Sequence, residues 1–423
     1  MDYRIYPPEE IIETRVDLPL SKSISNRALI INALTEGASP LAEVAQCDDT
    51  DAMVSALASG ADTINIGAAG TAMRFLTAYF AATGAADGAA VVTLDGSERM
   101  RERPIGALVD ALRACGASID YVGREGYPPL RITRKRLLGG EISVPASISS
   151  QYVSALLMVA PCMERGLTLH LEGEIMSLPY IRMTLAMMGA RGARAEFDER
   201  AGVVAVAPGS YSASCGLPVE ADWSAAAFWY EIVALSGGWV TLAGGLKRDS
   251  LQGDAAAADL FGRLGVTTSW DEVEDGDAEL SGNPDADARL DMDMRHIPDM
   301  AQAVVVTCAM LGTPFSISGL DSLRIKETDR LEALRIELLK LGVAVEIHSD
   351  ILRGLTMGWD GSRRPITEAP QFDTYRDHRM AMALAPVALY IPGITVRDAG
   401  VVAKSYPGYW EGLAAAGFTI EEV

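Results

Sequence analysis

The chain has few of the residues from which disulfide frameworks and metal centres are built. Its 423 residues include 5 cysteines (Cys47, Cys115, Cys162, Cys215 and Cys308), odd in number, scattered, and without a CxxC pair. That usage fits reduced thiols better than a disulfide scaffold or a zinc site. The 4 histidines show no HExxH spacing, so no metal is expected. The nucleotide-binding pattern GxxxxGKS or GxxxxGKT is missing, which disfavours a kinase. No apolar run approaches a membrane span; the nearest, MAMALAPVALYIPGI, is short and broken by proline. The start, MDYRIYPPEEII, lacks the basic and apolar regions of a signal peptide. Cations are the minority charge, 36 Lys and Arg against 57 Asp and Glu. A net charge of −21 argues against nucleic acid or an anionic membrane as partner. The expectation is a cytoplasmic, globular protein long enough for about two to three domains.

What is present is strand–helix alternation. Strand-like runs (AVVTLDG, PLRITRK, LTLHLEG, VVAVAPG, WVTLAGG, FSISGL, VAVEIHS, ITVRDAG) interleave with helix-like PIGALVDALRACG, SSQYVSALLMVA, AQAVVVTCAMLG and RLEALRIELLKLG. In the last, Leu331, Leu334, Leu338 and Leu341 recur at helical spacing and Gly342 ends the pattern. An α/β or α+β architecture follows. Helix, then "GA" or "GV", then strand recurs in RACGASI, MMGARGARAEF, RLGVTTSW and KLGVAVEI, a hint of repeated units. The best boundary by composition lies near SCGLPVEADWS.

Against this acidic background, cations gather at helix starts. LPLSKSISNRALI (18–30) sets Lys22 and Arg27 among Ser21, Ser23 and Ser25 where an apolar pattern begins, with Ser21 or Ser23 as candidate caps. A cation there opposes the helix dipole by about 0.3–1 kcal/mol. A bound phosphate reverses that sign. The pattern recurs in GAAGTAMRFL (Gly70, Arg74), DGSERMRERPIGAL (Arg99, Arg101, Arg103), SLRIKETDRLEAL (Arg324, Lys326, Arg330), YRDHRMAMALA (Arg379) and AKSYPGYW (Lys404). Arg99 and Arg101 read best as exposed and balanced by Glu98 and Glu102, and Arg103, beside the helix start, as the binding candidate. SISSQYVSALLM contributes Ser149, Ser150 and Gln151, and RHIPDMAQAVVV contributes Asp299 after Pro298, where the dipole favours a carboxylate without catalysis. Cations separated in this way suit a ligand with more than one anionic group.

LPLSKSISNR, AAGTAMRFL, RMRERPIGALVDAL, SSQYVSALL, HIPDMA, RIKETDRL, YRDHRMAMA and AKSYP, in this order from about residue 18 to about 412, resemble the signature segments of the 5-enolpyruvylshikimate-3-phosphate synthase family. The resemblance implies an inside-out α/β barrel fold of two similar domains. Each is built from three βαβαββ units, with the active site in the interdomain cleft. One domain would be discontinuous, 1–19 and 221–423, carrying the carboxylate grip and the acid/base residues. The other, 20–220, would be inserted and carry most shikimate-phosphate contacts. Cations facing an empty cleft should hold it open, and anionic ligands should close it.

The implied reaction joins phosphoenolpyruvate to the 5-hydroxyl of shikimate 3-phosphate and releases phosphate, with no metal or other cofactor and a monomeric chain. By matching motif positions, Lys22, Ser23, Arg27, Ser149, Ser150, Gln151, Ser177, Tyr180, Asp299, Ser322 and Lys326 would contact shikimate 3-phosphate. Lys22, Gly70, Arg103, Gln151, Arg330, Arg379 and Lys404 would hold phosphoenolpyruvate, Arg330 and Arg379 gripping its carboxylate. Asp299, Glu327 and Lys22 would be catalytic. Ala68 and Ser322 stand where the family usually has asparagine, and Leu20 where glycine is common. Gly70 is retained, so competition by glyphosate is expected. The alternatives are a UDP-N-acetylglucosamine enolpyruvyl transferase and a non-catalytic sugar-phosphate sensor. The first usually carries a reactive cysteine in the loop that here reads GSERMRER. Cys115 in the following helix reads as a small buried residue.

Overall fold

A computed structural model describes residues 1–84, 90–146, 149–213, 216–270, 277–350 and 352–423. Cys215 lies outside the described residues, as do the first two residues of SISSQYVSALLM.

All eight strand-like runs contain strands and all four helix-like runs contain helices. The chain divides into two compact units, Lys22–Val219 and the discontinuous Met1–Ser21 with Glu220–Val423. The second crossing falls within SCGLPVEADWS. Each unit encloses its own apolar core.

Five four-stranded sheets share one wiring, a parallel pair followed by two antiparallel partners. In Lys22–Val219, Thr63–Asn65 runs parallel to Val91–Asp95, and Gly140–Pro145 parallel to Leu167–Glu172. In the discontinuous unit the parallel pairs are Glu13–Asp17 with Trp239–Ala243, Leu290–Asp293 with Phe315–Ser318, and Gln371–Phe372 with Ile394–Val396. A parallel pair needs a crossover. The crossing helices are Gly70–Ala82, Ser150–Val159, Trp223–Ser236, Ala301–Leu311 and His378–Leu384. In the first crossover of the discontinuous unit, the other unit is inserted between Asp17 and Trp223.

These five helices are buried nearly all round, as their composition requires. In AQAVVVTCAML every residue except Leu311 is buried, and in GTAMRFLTAYFAA every residue except Tyr79. Lys22–Ala33 is a sixth helix of this kind, with Ile24 to Ala28, Ile30 and Ile31 buried. Leu331, Leu334, Leu338 and Leu341 are all inaccessible to solvent, as their spacing required.

The hint of repetition has a backbone basis. Gly116, Gly192, Gly265 and Gly342 sit at the same helix-to-strand turn of four units, all with φ between 77° and 99°. A side chain resists that conformation. The fifth unit has Gly417 in the same place, φ 94°, in AAGFTI. Among the described residues no helix is long and apolar enough to cross a membrane.

Candidate functional site

Because a buried helix exposes mainly its ends, the start of each crossing helix is where chemistry can be placed. The candidate residues collect there and at the starts of the neighbouring helices and loops, in one set on each unit.

In Lys22–Val219 the centre is Arg27, in the second turn of Lys22–Ala33 and only 2% exposed. Its Nε donates to Thr184 Oγ1 (2.8 Å), Nη2 to Ser154 Oγ (3.0 Å) and Nη1 to the Ser23 carbonyl (2.9 Å). The guanidinium lies against the Phe75 and Tyr180 rings, 5.4 and 5.5 Å from their centroids. Every hydrogen-bond acceptor is neutral, and among the described residues Arg27 forms no ion pair. Burial lowers its pKa to about 10, which leaves it charged at neutral pH. A buried charge without a counter-charge is costly, so this one is suited to an anion that arrives with substrate.

Around it, Lys22 Nζ meets Asp49 Oδ2 at 3.2 Å. Ser149 caps Ser150–Val159, its hydroxyl accepting from Gln151 N (3.3 Å), while Gln151 Nε2 donates to Thr71 Oγ1 (3.2 Å). Ser177 precedes Leu178–Ala190 with φ 54°, a left-handed conformation unusual for serine. Ser21 ends the other unit's N-terminal segment, and its hydroxyl donates to Gln252 Oε1 (2.8 Å).

Gly70 begins its helix after Ala69, which supplies no side-chain cap. Arg103 covers that start: a Cβ on Gly70 would lie 2.5 Å from Arg103 Nη1. Arg74 is turned inward, donating to the Gly70 and Pro104 carbonyls (3.2 and 3.3 Å), and so braces the loop that carries Arg103. Arg99 pairs with Glu102 (2.9 Å), whereas Arg101 takes Asp95 (2.5 Å) rather than a neighbouring glutamate. Cys115 is fully buried and its thiol is pushed up to about 11 by burial, so it is not a nucleophile. Ala68 is exposed in the turn before Gly70.

In the discontinuous unit the centre is Arg330, first residue of Arg330–Lys340. Asp377 takes Nε (2.6 Å) and Nη2 (3.2 Å), Asp299 takes Nη1 (2.8 Å), and Glu327 takes Nη2 (2.9 Å). Lys404 pairs with Glu327 (2.8 Å) and Lys326 with Asp299 (3.1 Å). Arg379 Nη1 donates to the Asp299 carbonyl (2.6 Å). Burial alone would raise the Asp299 carboxyl, but Lys326, Arg379 and Arg330 outweigh it and hold it well below the usual carboxylate range. Ser322 Oγ is buried and has no hydrogen-bond partner among the described residues, so it faces inward.

Sequence reasoning missed Asp49, Ser154, Thr184, Asp377, Ser224 and Asp254. Ser154 lies one turn after Ser150, and Asp377 stands within the quoted YRDHRM. Thr184 gave no local signal, because only the fold brings it to Arg27.

Carboxylates and several cations, collected at helix starts and in the loops beside them, suit anionic substrates. Two solved EPSP synthases from Acinetobacter baumannii share the fold, each with TM-score 0.74 at 20% identity and coverage of 100% of both chains. The family model for EPSP synthase (3-phosphoshikimate 1-carboxyvinyltransferase) matches residues 7–59 and 56–413. A 3-phosphoshikimate 1-carboxyvinyltransferase of Bacteroides fragilis (strain YCH46) is 48% identical over 100% of this chain and 99% of its own. One of Yersinia pestis is 37% identical over 96% of this chain and 97% of its own. The chain belongs to the EPSP synthase family.

Proposed function

We propose that the chain transfers the carboxyvinyl group of phosphoenolpyruvate to the 5-hydroxyl of shikimate 3-phosphate, releasing phosphate, as a step of the shikimate pathway. The observation that carries the mechanism is one guanidinium shared by two carboxylates, Asp299 at 2.8 Å and Glu327 at 2.9 Å, each also bound to its own lysine. Addition needs one group to accept the hydroxyl proton and another to protonate C3. Asp299 takes the hydroxyl proton as oxygen attacks C2, and Glu327, assisted by Lys22, protonates C3 to a methyl group. In the elimination the C2–O bond to phosphate breaks and a methyl proton returns to the enzyme, restoring the double bond.

Charge state explains why the base works only with substrate present. In the free chain Asp299 is too acidic to be a good acceptor. Substrate anions draw off Arg379, Arg330 and Lys326, and the carboxyl rises toward a useful pKa. Arg27, with Ser23, Ser149, Ser150, Gln151, Ser177 and Tyr180, holds shikimate 3-phosphate, and Lys326 contacts the same substrate. Arg103 and Gly70 take the phosphate of phosphoenolpyruvate with Lys404 near it, and Arg330 and Arg379 take its carboxylate in bidentate fashion. Ser322, whose buried hydroxyl has no hydrogen-bond partner among the described residues, belongs to the same shikimate 3-phosphate contacts. The domain roles follow: Glu220–Val423 bears the acid/base pair, and Lys22–Val219 bears most shikimate-phosphate contacts.

The test is phosphate release from phosphoenolpyruvate with shikimate 3-phosphate, with UDP-N-acetylglucosamine, and alone. Release only in the first mixture, lost in Asp299→Ala and Glu327→Ala, supports the reading. Release with UDP-N-acetylglucosamine, or none from folded protein, refutes it.

A further inference from the structure

Among the six buried helices, Trp223–Ser236 is the one to whose start the motif comparison assigns no substrate or catalytic residue. Its first turn nevertheless faces the site. Ser224 lies there, its backbone N–H bonded to the helix cap Asp222 (2.8 Å). The Ser224 hydroxyl donates to Asp254 Oδ2 (2.5 Å) and accepts from Arg379 Nη2 (3.2 Å). The other nitrogen of that fork, Nη1, holds the Asp299 carbonyl (2.6 Å). Asp254 is 1% exposed, and its second oxygen, Oδ1, is buried without a hydrogen-bond partner among the described residues.

A carboxylate buried with one oxygen unpaired costs stability. What the carboxylate provides is direction. Because Ser224 gives its proton to Asp254, its lone pair is fixed toward Nη2, and the Arg379 fork is held in one plane before any substrate arrives. We infer that Asp254 and Ser224 are positioning residues, which orient Arg379 for the carboxylate of phosphoenolpyruvate. The inference rests on the proposed role of Arg379.

The charged groups around Asp254 agree. Burial, the largest influence, pushes its carboxyl up to about 6, with Arg379 pulling it down and Asp299 and Asp222 pushing it up. The folded chain therefore binds that proton more tightly than the unfolded one. Stability from this source is complete below the unfolded carboxylate range and is lost as pH rises through about 6. An amide at this position has no such loss.

The test compares Ser224→Ala, Asp254→Asn, Arg379→Ala and the double variant Ser224→Ala/Arg379→Ala in steady-state kinetics and thermal unfolding. Ser224→Ala should raise KM for phosphoenolpyruvate about tenfold, the effect of losing a hydrogen bond to a charged group. Asp254→Asn, whose amide oxygen still accepts from Ser224, should raise it by less, with KM for shikimate 3-phosphate unchanged in both. Adding Ser224→Ala to Arg379→Ala should change KM no further. Asp254→Asn should unfold at a higher temperature than the parent at pH 7.5 and at the same temperature at pH 4, which shows that its fold is intact. If Arg379→Ala raises KM for phosphoenolpyruvate while Ser224→Ala and Asp254→Asn do not, or if both KM values rise together, the positioning role is overturned. If Arg379→Ala itself leaves KM for phosphoenolpyruvate unchanged, the reading of Arg379 fails instead.

Discussion

Arg330 and Asp377 form a two-bonded ion pair out of reach of water, Nε to Oδ2 at 2.6 Å and Nη2 to Oδ1 at 3.2 Å, with side chains 2% and 0% exposed. Asp299 and Glu327, bound to the same guanidinium, are 19% and 15% exposed. Asp377 is thus the less accessible partner, and the other two carboxylates are the ones that the carboxylate of phosphoenolpyruvate would replace if Arg330 grips it as proposed. Removing one member of a buried pair leaves a bare charge and costs about 3–5 kcal/mol. Asp377→Ala should lower the stability of this unit by that amount in urea unfolding, whereas Glu327→Gln should lower it by less than about 1 kcal/mol. Equal losses would refute that difference.

Of the three cations that hold the Asp299 carboxyl acidic, Lys326 acts most strongly. A depressed carboxylate contributes stability above its unfolded pKa and loses it only as pH falls through the folded value, here well below the usual range. Asp299 should therefore stay ionised throughout the mildly acidic to neutral range and give no acid limb to kcat/KM, which reports the free enzyme. In Lys326→Met the largest counter-charge is gone and the Asp299 pKa should rise. The expected outcome is stronger acid destabilisation at low pH in wild type than in the variant. An unchanged difference in stability between pH 3 and pH 6 would refute the assignment.

Much of this fold is legible in the residues because each unit repeats one local grammar: a crossover helix apolar on every side, a second helix, a left-handed glycine, and a hairpin. Gly342 closes its helix at the residue that the leucine spacing indicated, and a Cβ there would lie 2.0 Å from the Arg364 carbonyl oxygen. The site was less legible. Cations at helix starts point to an anionic ligand, but not to which of them are already paired. The i,i+3 spacing marks Glu327 as a partner of Arg330, but the same fork is filled also by Asp377 and Asp299, which spacing does not show. Asp377 was in view, but only tertiary contact connects it with a residue 47 positions away. Asp254 and Ser224, separated by 30 positions, meet through a packed helix and carry no motif that marks them.

Gly70 leaves room for the Arg103 guanidinium and for little else. In Gly70→Ala the new Cβ would lie 2.5 Å from Arg103 Nη1, so the side chain must shift rather than the helix. The fold should be unaffected, with unfolding within about 0.5 kcal/mol of the parent. KM for phosphoenolpyruvate should rise about tenfold with KM for shikimate 3-phosphate unchanged, a loss of the size of one charge-assisted hydrogen bond. A rise confined to KM for shikimate 3-phosphate would place Arg103 at the other substrate.

Arg27 pits stability against binding. Its charge is buried among the Thr184 and Ser154 hydroxyls and two aromatic rings, and burial lowers its pKa to about 10. Replacing an uncompensated buried charge by an apolar group of similar length removes its desolvation cost. Thr184 would not be stranded, because its hydroxyl also reaches Ser154 Oγ (2.9 Å) and the Tyr180 carbonyl (2.7 Å). Arg27→Met should therefore be at least as stable as the parent in the absence of ligand. Its affinity for shikimate 3-phosphate, read by calorimetry, should fall by about 10- to 100-fold, the loss expected for hydrogen bonds to a charged partner. A variant that binds normally would show that the buried cation serves the fold, and a variant that unfolds without ligand would show the same by the opposite route. Stability kept together with binding lost is the outcome that makes Arg27 a binding residue, held charged in the core for an anion that the chain itself does not supply.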